Sequence, residues 1–145
     1  ELVSLIGIYE YMMILHKHHF NNNNLSIREK INQINKLISD HEEEIANPIL
    51  DYITSRKDLK LIGKSKIKNK NRAPTISITH KNMSSKQMSK ILVNNNIATR
   101  NDNFYAWRCL KALGIDNKDG VVRTSIVHYN SEEEVKKLIK VLKKI

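Results

Sequence analysis

The sequence predicts an α+β fold: a small, mostly antiparallel sheet with helices packed on one face, preceded by a long helix. Three observations predict it. From Leu25 onward, seven segments alternate helix, strand, helix, strand, helix, strand, helix. Ser26 with Glu29, Ser84 with Gln87 and Ser131 with Glu134 each have capping-box spacing, in which each side chain satisfies the other's free backbone N–H. Val121 to Val127 is β-branched at most positions, as a strand requires.

The first helix is expected over Leu2 to His19. Leu2, Leu5, Ile6, Tyr9, Met12 and Met13 make it apolar on most faces, the pattern of a buried helix. It has no N-terminal cap and Glu1 is not an initiator Met, so the chain is expected to be cut from a longer one, or processed. Asn21 to Asn24 reads as a loop. The long helix then starts at the Ser26 cap, and Ile27, Ile31, Ile34, Ile38, Ile45, Ile49 and Ile53 form one apolar stripe. Pro48 is expected to kink or interrupt it, because proline lacks the N–H and clashes with the preceding turn.

Lys60 to Arg72 is polar and basic, and reads as a short strand plus a loop. Ala73 to His80 alternates, with Ile76 and Ile78 facing one way and Thr75, Ser77 and Thr79 the other. After the Ser84 cap, Met83 can staple to Met88, and Ile91 and Leu92 continue the buried face. Ile97 to Arg100 is a short strand, and Phe104 to Leu113 a helix ending at Gly114. In the last strand Val122, Thr124 and Ile126 share one face. Arg123 falls on the other, with Val121, Ser125 and Val127. The final helix buries Val135, Leu138, Ile139 and Leu142 and wets five lysines.

Composition narrows the function. The 145 residues suffice for one domain with a core, and 40% apolar with 28% charged residues marks a globular chain. No apolar run approaches the roughly 20 residues of a membrane span. The opening stretch has neither the basic region nor the cleavage site of a signal peptide. One cysteine, Cys109, excludes an internal disulfide framework and fits a reducing, cytoplasmic setting; inside a helix its default is buried and inert. The net charge of +10 suggests nucleic acid, with Lys60, Lys64, Lys66, Lys68, Lys70 and Arg72 the best footprint. Against that, aromatics do not interleave with the run and no recognition motif occurs. Lys, Asn and Ile are all abundant and share A/T-rich codons, so base composition alone can raise the charge. No specific nucleic acid is expected. A basic binding or interaction domain without catalysis is the alternative reading. His16, His18 and His19 lack an i, i+4 pair and a carboxylate or Cys partner, so no metal is expected.

Gly120 to Val135, reading GVVRTSIVHYNSEEEV, resembles the C-terminal signature of class V aminotransferases, with a strand bearing an Arg, a Tyr-Asn turn and an acidic helix start. The likeness is nearest to the cysteine desulfurase-like branch. Arg72 to Ile78, RAPTISI, resembles the first strand of that family's small domain, and Asn96 to Ala106, NIATRNDNFYA, its active-site loop. Glu1 to Leu15 resembles a helix near the end of the large domain.

The resemblance implies a fold-type I enzyme dependent on pyridoxal phosphate, homodimeric when complete, acting on an amino-acid substrate. Residues 1–20 would be the terminal helix of a truncated large domain, and 25–145 the C-terminal small domain. The upstream large domain would hold the cofactor on a lysine, so this chain is not expected to bind it covalently or to catalyse alone. Arg123 would grip the substrate carboxylate, and Arg100 and Tyr105 would line the pocket. Phe104 and Tyr105 stand about where a desulfurase carries its persulfide-forming cysteine, a departure that leaves the reaction type open. Lys81 follows a stretch superficially like the context of the cofactor lysine, but falls at a strand end. His128 beside the Tyr129-Asn130 turn reads as structural.

Overall fold

The computed structural model describes residues 2–22, 24–68 and 71–145. It contains α1 (Leu2–His19), α2 (Ile27–Ser55), β1 (Leu59–Ile62), β2 (Thr75–His80), α3 (Ser85–Asn94), β3 (Arg100–Asp102), α4 (Trp107–Ala112), β4 (Val121–Ser125) and α5 (Glu132–Leu142). The four strands form one antiparallel sheet in the order β1-β2-β4-β3. Two compact units divide at His41 and Glu42.

In the unit ending at His41, the cap of α2 forms as its spacing predicts: Ser26 N donates to Glu29 Oε2 over 2.8 Å. The buried groups here are Ile34 and His16, the latter within 2.9 Å of Gln33 Oε1 and stacked on Phe20. The expectation of a buried first helix is corrected. Val3, Leu5, Ile6, Ile8, Tyr9, Tyr11 and Ile14 of α1 are all exposed. Two helical segments can cover only one stripe of each other, and α1 is apolar on more than one.

The larger unit holds the core. Ile45, Ile49, Leu50 and Ile53 of α2, Met88 and Leu92 of α3, and Val135, Leu138, Val141 and Leu142 of α5 pack with Ile76, Ile78 and Val122 of the sheet. All three helices therefore cover the same sheet face. Met83 packs on that cluster beside the α3 cap, whose capping box forms in full, as does that of α5. Pro48 does not interrupt α2, which runs through it from Ile27 to Ser55. Ile45, Ala46, Ile49 and Leu50 are buried on both sides of it while Pro48 itself faces water, so core packing holds the two halves in one helix.

Polar ties lock the elements together. Asp58, just before β1, takes two hydrogen bonds from Arg56, whose guanidinium also donates to Tyr52 Oη and to the Leu142 carbonyl at the end of α5. The Arg56 bonds hold the Asp58 carboxyl well below the usual carboxylate range. His80 Nε2 approaches the same carboxylate at 3.4 Å.

The tightest constraint lies where β4 begins. Gly120 has φ +71°, and a Cβ placed on it would lie 2.3 Å from the Asp102 carbonyl carbon and oxygen and 2.7 Å from Asn103 N. Immediately before it, Asp119 receives the Ser85 N–H at 2.8 Å and 3.0 Å, tying the start of α3 to the same point. Gly114 also has positive φ, +68°, but nothing within 4 Å of its missing Cβ. Gly120→Ala is therefore expected to cost about 2 kcal/mol or more in urea unfolding, from left-handed strain plus backbone overlap, and to strip amide protection from β3. Gly114→Ala is expected to cost about 1 kcal/mol. Equal losses would show that the Asp102 backbone yields freely.

Candidate anion-binding site on the open sheet face

Helices cover one face of the sheet, and the other carries Thr75, Ser77, Arg123 and Ser125. Register places Ser77, Arg123 and Arg100 in one row across β2, β4 and β3. Residues directly opposite in an antiparallel pair share a face with Cβ atoms about 5 Å apart. The two arginines are thus cross-strand neighbours. Arg123 is half-buried and Arg100 exposed, and among the described residues neither guanidinium makes a hydrogen bond or ion pair. The structure brings together two of the three residues singled out in the sequence.

Arg123 has one neighbour that sequence reasoning missed. The Phe104 ring lies over its guanidinium, with Cζ 4.0 Å from the ring centroid. The helix expected from Phe104 begins only at Trp107. Phe104 and Tyr105 instead adopt left-handed backbone, φ +51° and +60°. Asn103 fixes that turn. Its N–H donates to Asp102 Oδ1 at 2.6 Å, its Oδ1 receives the Tyr105 N–H at 3.0 Å, and its carbonyl receives the Ala106 N–H at 2.9 Å. Two consecutive left-handed aromatics leave no local sequence signal; the asparagine before them is the only hint. Tyr105, the third expected residue, is 98% exposed and touches neither arginine.

The other candidates separate clearly. Cys109 is exposed on α4 rather than buried, because that short helix sinks only Leu110. Lys81 is exposed at the end of β2. Asn130 closes the turn after β4 as expected, its Oδ1 receiving the Val127 N–H at 2.8 Å. The adjoining Tyr129 lines a cleft of about 460 Å³ with Thr124, Lys137 and Leu138, away from Arg100 and Tyr105.

In the basic run, Lys66 pairs with Asp51, and Arg72 donates to the Lys64 and Thr75 carbonyls, its charge disfavoured by burial. Those two cations serve the fold. Lys70 lies outside the described residues. Among the described residues, no three His, Cys, Asp or Glu group to hold a metal, and no helix is long and apolar enough to cross a membrane.

The fold is an α+β layer whose open sheet face carries two arginine side chains without a hydrogen-bond or ion-pair partner among the described residues. The chain belongs to the aminotransferase class-V family, whose pattern matches residues 26–138. It is 29% identical over 109 residues to an aminotransferase-like protein of Gibberella zeae, covering 74% of this chain and 27% of that protein. Among solved structures, a cysteine desulfurase of Thermococcus onnurineus matches with TM-score 0.65 and 24% identity, over 81% of this chain and 29% of the other. A cysteine desulfurase of Escherichia coli matches with TM-score 0.61 and 18% identity, over 73% and 24%. These structures share the fold, and the chain spans less than a third of each relative.

Family members use pyridoxal phosphate in general. No described lysine is buried, whereas a lysine that holds the cofactor is activated by desolvation or a neighbouring cation. No described lysine is thus desolvated in the way a cofactor-holding lysine is.

Like charges facing across strands are destabilising by a few tenths to about 1 kcal/mol. Arg100→Gln is accordingly expected to raise thermal stability at low ionic strength, and the gain to shrink as salt screens the pair. A loss of stability, or a gain indifferent to salt, would mean that the arginines do not repel.

Proposed function

We propose that this chain is the C-terminal portion of a pyridoxal-phosphate enzyme acting on an amino acid, and that Arg123 binds the substrate carboxylate. Residues 25–145 serve as the small domain, and 1–20 as a helix belonging to a large domain that carries the cofactor lysine. The complete enzyme is a cytoplasmic homodimer on this reading. The chain is inactive by itself.

One observation carries the reading. A half-buried guanidinium stands mid-strand, without an acidic partner, opposite a second arginine. An unpaired charge removed from water is costly, and the facing charge adds to the cost. A bound anion offsets both. A carboxylate suits the planar fork, which offers two parallel N–H donors. Arg100 adds a second cation at the rim, and Tyr105 reaches outward to wall the substrate. When bound in the large domain, the cofactor serves as the electron sink. This chain's residues hold and orient the substrate. Desulfuration, β-elimination, transamination and racemisation all remain compatible with such a wall.

Two tests follow from this assignment. In the full-length protein, Arg123→Lys keeps the charge and loses the fork. A hydrogen bond to a charged group contributes roughly 1.5–3 kcal/mol, so kcat/KM is expected to fall about 10- to 100-fold with the melting temperature nearly unchanged. Unchanged kinetics in a folded variant would remove Arg123 from the site. Separately, the 145-residue chain mixed with pyridoxal phosphate and reduced with borohydride is expected to show no stoichiometric mass adduct. One stoichiometric adduct on Lys81 would place the cofactor on this chain after all.

A further inference from the structure

We infer that Phe104 is a positioning residue that pre-sets the Arg123 guanidinium for edge-on capture of a carboxylate; this rests on the reading of Arg123 as the carboxylate-binding residue. A guanidinium binds through its edge N–H groups and stacks through its face. At 4.0 Å from the ring centroid, Phe104 occupies the face of the Arg123 group. No described residue bonds to the edges. Arginine on a strand is otherwise a long, freely rotating side chain, and the charge of Arg100 opposite drives it toward solvent.

The ring is itself held. The Asn103 bonds clamp the backbone of the left-handed turn at Phe104 and Tyr105, which fixes where the Phe104 Cα–Cβ bond starts toward Arg123. Asn103 Nδ2 also reaches the Asn117 carbonyl at 3.4 Å, anchoring the turn to the segment that leads into β4. The guanidinium is therefore restrained before any ligand arrives, which lowers the ordering cost of binding.

The test uses the ¹⁵N-labelled 145-residue chain, with acetate as the probe and the Arg123 Nε–H resonance as the readout. In the free wild-type chain that resonance is expected to be displaced upfield by the ring current of Phe104. Acetate is expected to perturb it at lower concentration than the Nε–H of Arg108, which is exposed on α4. Phe104→Leu is expected to weaken acetate binding about two- to fivefold, the scale of an exposed cation–π contact, without a matching change in melting temperature. Phe104→Trp keeps the π face and is expected to restore wild-type affinity.

Equal acetate affinity in Phe104→Leu, with wild-type binding intact, would overturn the positioning role alone. If that variant does not fold, the wild-type ring-current displacement and the Trp variant decide, and absence of the displacement sinks the inference. Acetate that ignores Arg123 in a wild-type chain with a normal stack would instead overturn the carboxylate reading, and this inference with it.

Discussion

The larger unit depends on the contact between the Gly120 backbone and the Asp102–Asn103 peptide. Nothing larger than hydrogen fits there. That approach fixes where β4 begins beside β3, and so sets the register that brings Arg100 opposite Arg123. A one-residue slip would turn Arg123 toward the helices and Val122 toward water, so the pairing specifies core and site together. The same corner starts α3 through Asp119 and holds the aromatic turn through Asn103 and Asn117. Fold and site are joined at one point of backbone contact rather than by a hydrophobic bridge.

The two faces of the sheet carry different obligations. Ile76, Ile78 and Val122 bury against three helices, each side chain worth roughly 1.5–3 kcal/mol in apolar surface removed from water. Stability is therefore gathered on the helix side. The open face buries less apolar surface, chiefly Val121, and the like charges at 100 and 123 are expected to subtract from stability. An apolar residue at 123 would serve a purely structural sheet as well or better. On the proposed reading the arginine is there for a ligand, while the opposite face accounts for the fold.

Legibility in the sequence followed the range of the interactions. Three capping boxes and the Asn130 turn were readable because both partners lie within a few residues, and all of them form. The alternation in β2 and β4 was readable because one face is covered throughout. Hydrophobicity reported how apolar α1 is without saying what would cover it, and its side chains stand exposed. Pro48 was read through its local cost, which packing of Ile45 and Ile49 outweighs. Arg72 looked like a free cation because its carbonyl partners, Lys64 and Thr75, reveal themselves only once the loop is closed. Phe104 was invisible as a site residue, since its relation to Arg123 spans two strands and a strained turn.

That turn has an energetic logic of its own. Left-handed backbone at two non-glycine residues costs of order 1–3 kcal/mol each. Its three backbone-directed bonds through Asn103 return about 0.5–1.5 kcal/mol apiece, which roughly offsets the strain. Glycine at 104 and 105 would keep those bonds and remove the strain, so the bonds do not explain the aromatics. The stack on Arg123 explains Phe104. Among the described residues nothing packs on the Tyr105 ring, which is almost wholly in water. The residue's N–H is bonded to Asn103, but its ring is free to meet a molecule from outside. On the proposed reading that molecule is the substrate on the Arg123 face, which lies across the sheet from the helix-packed core.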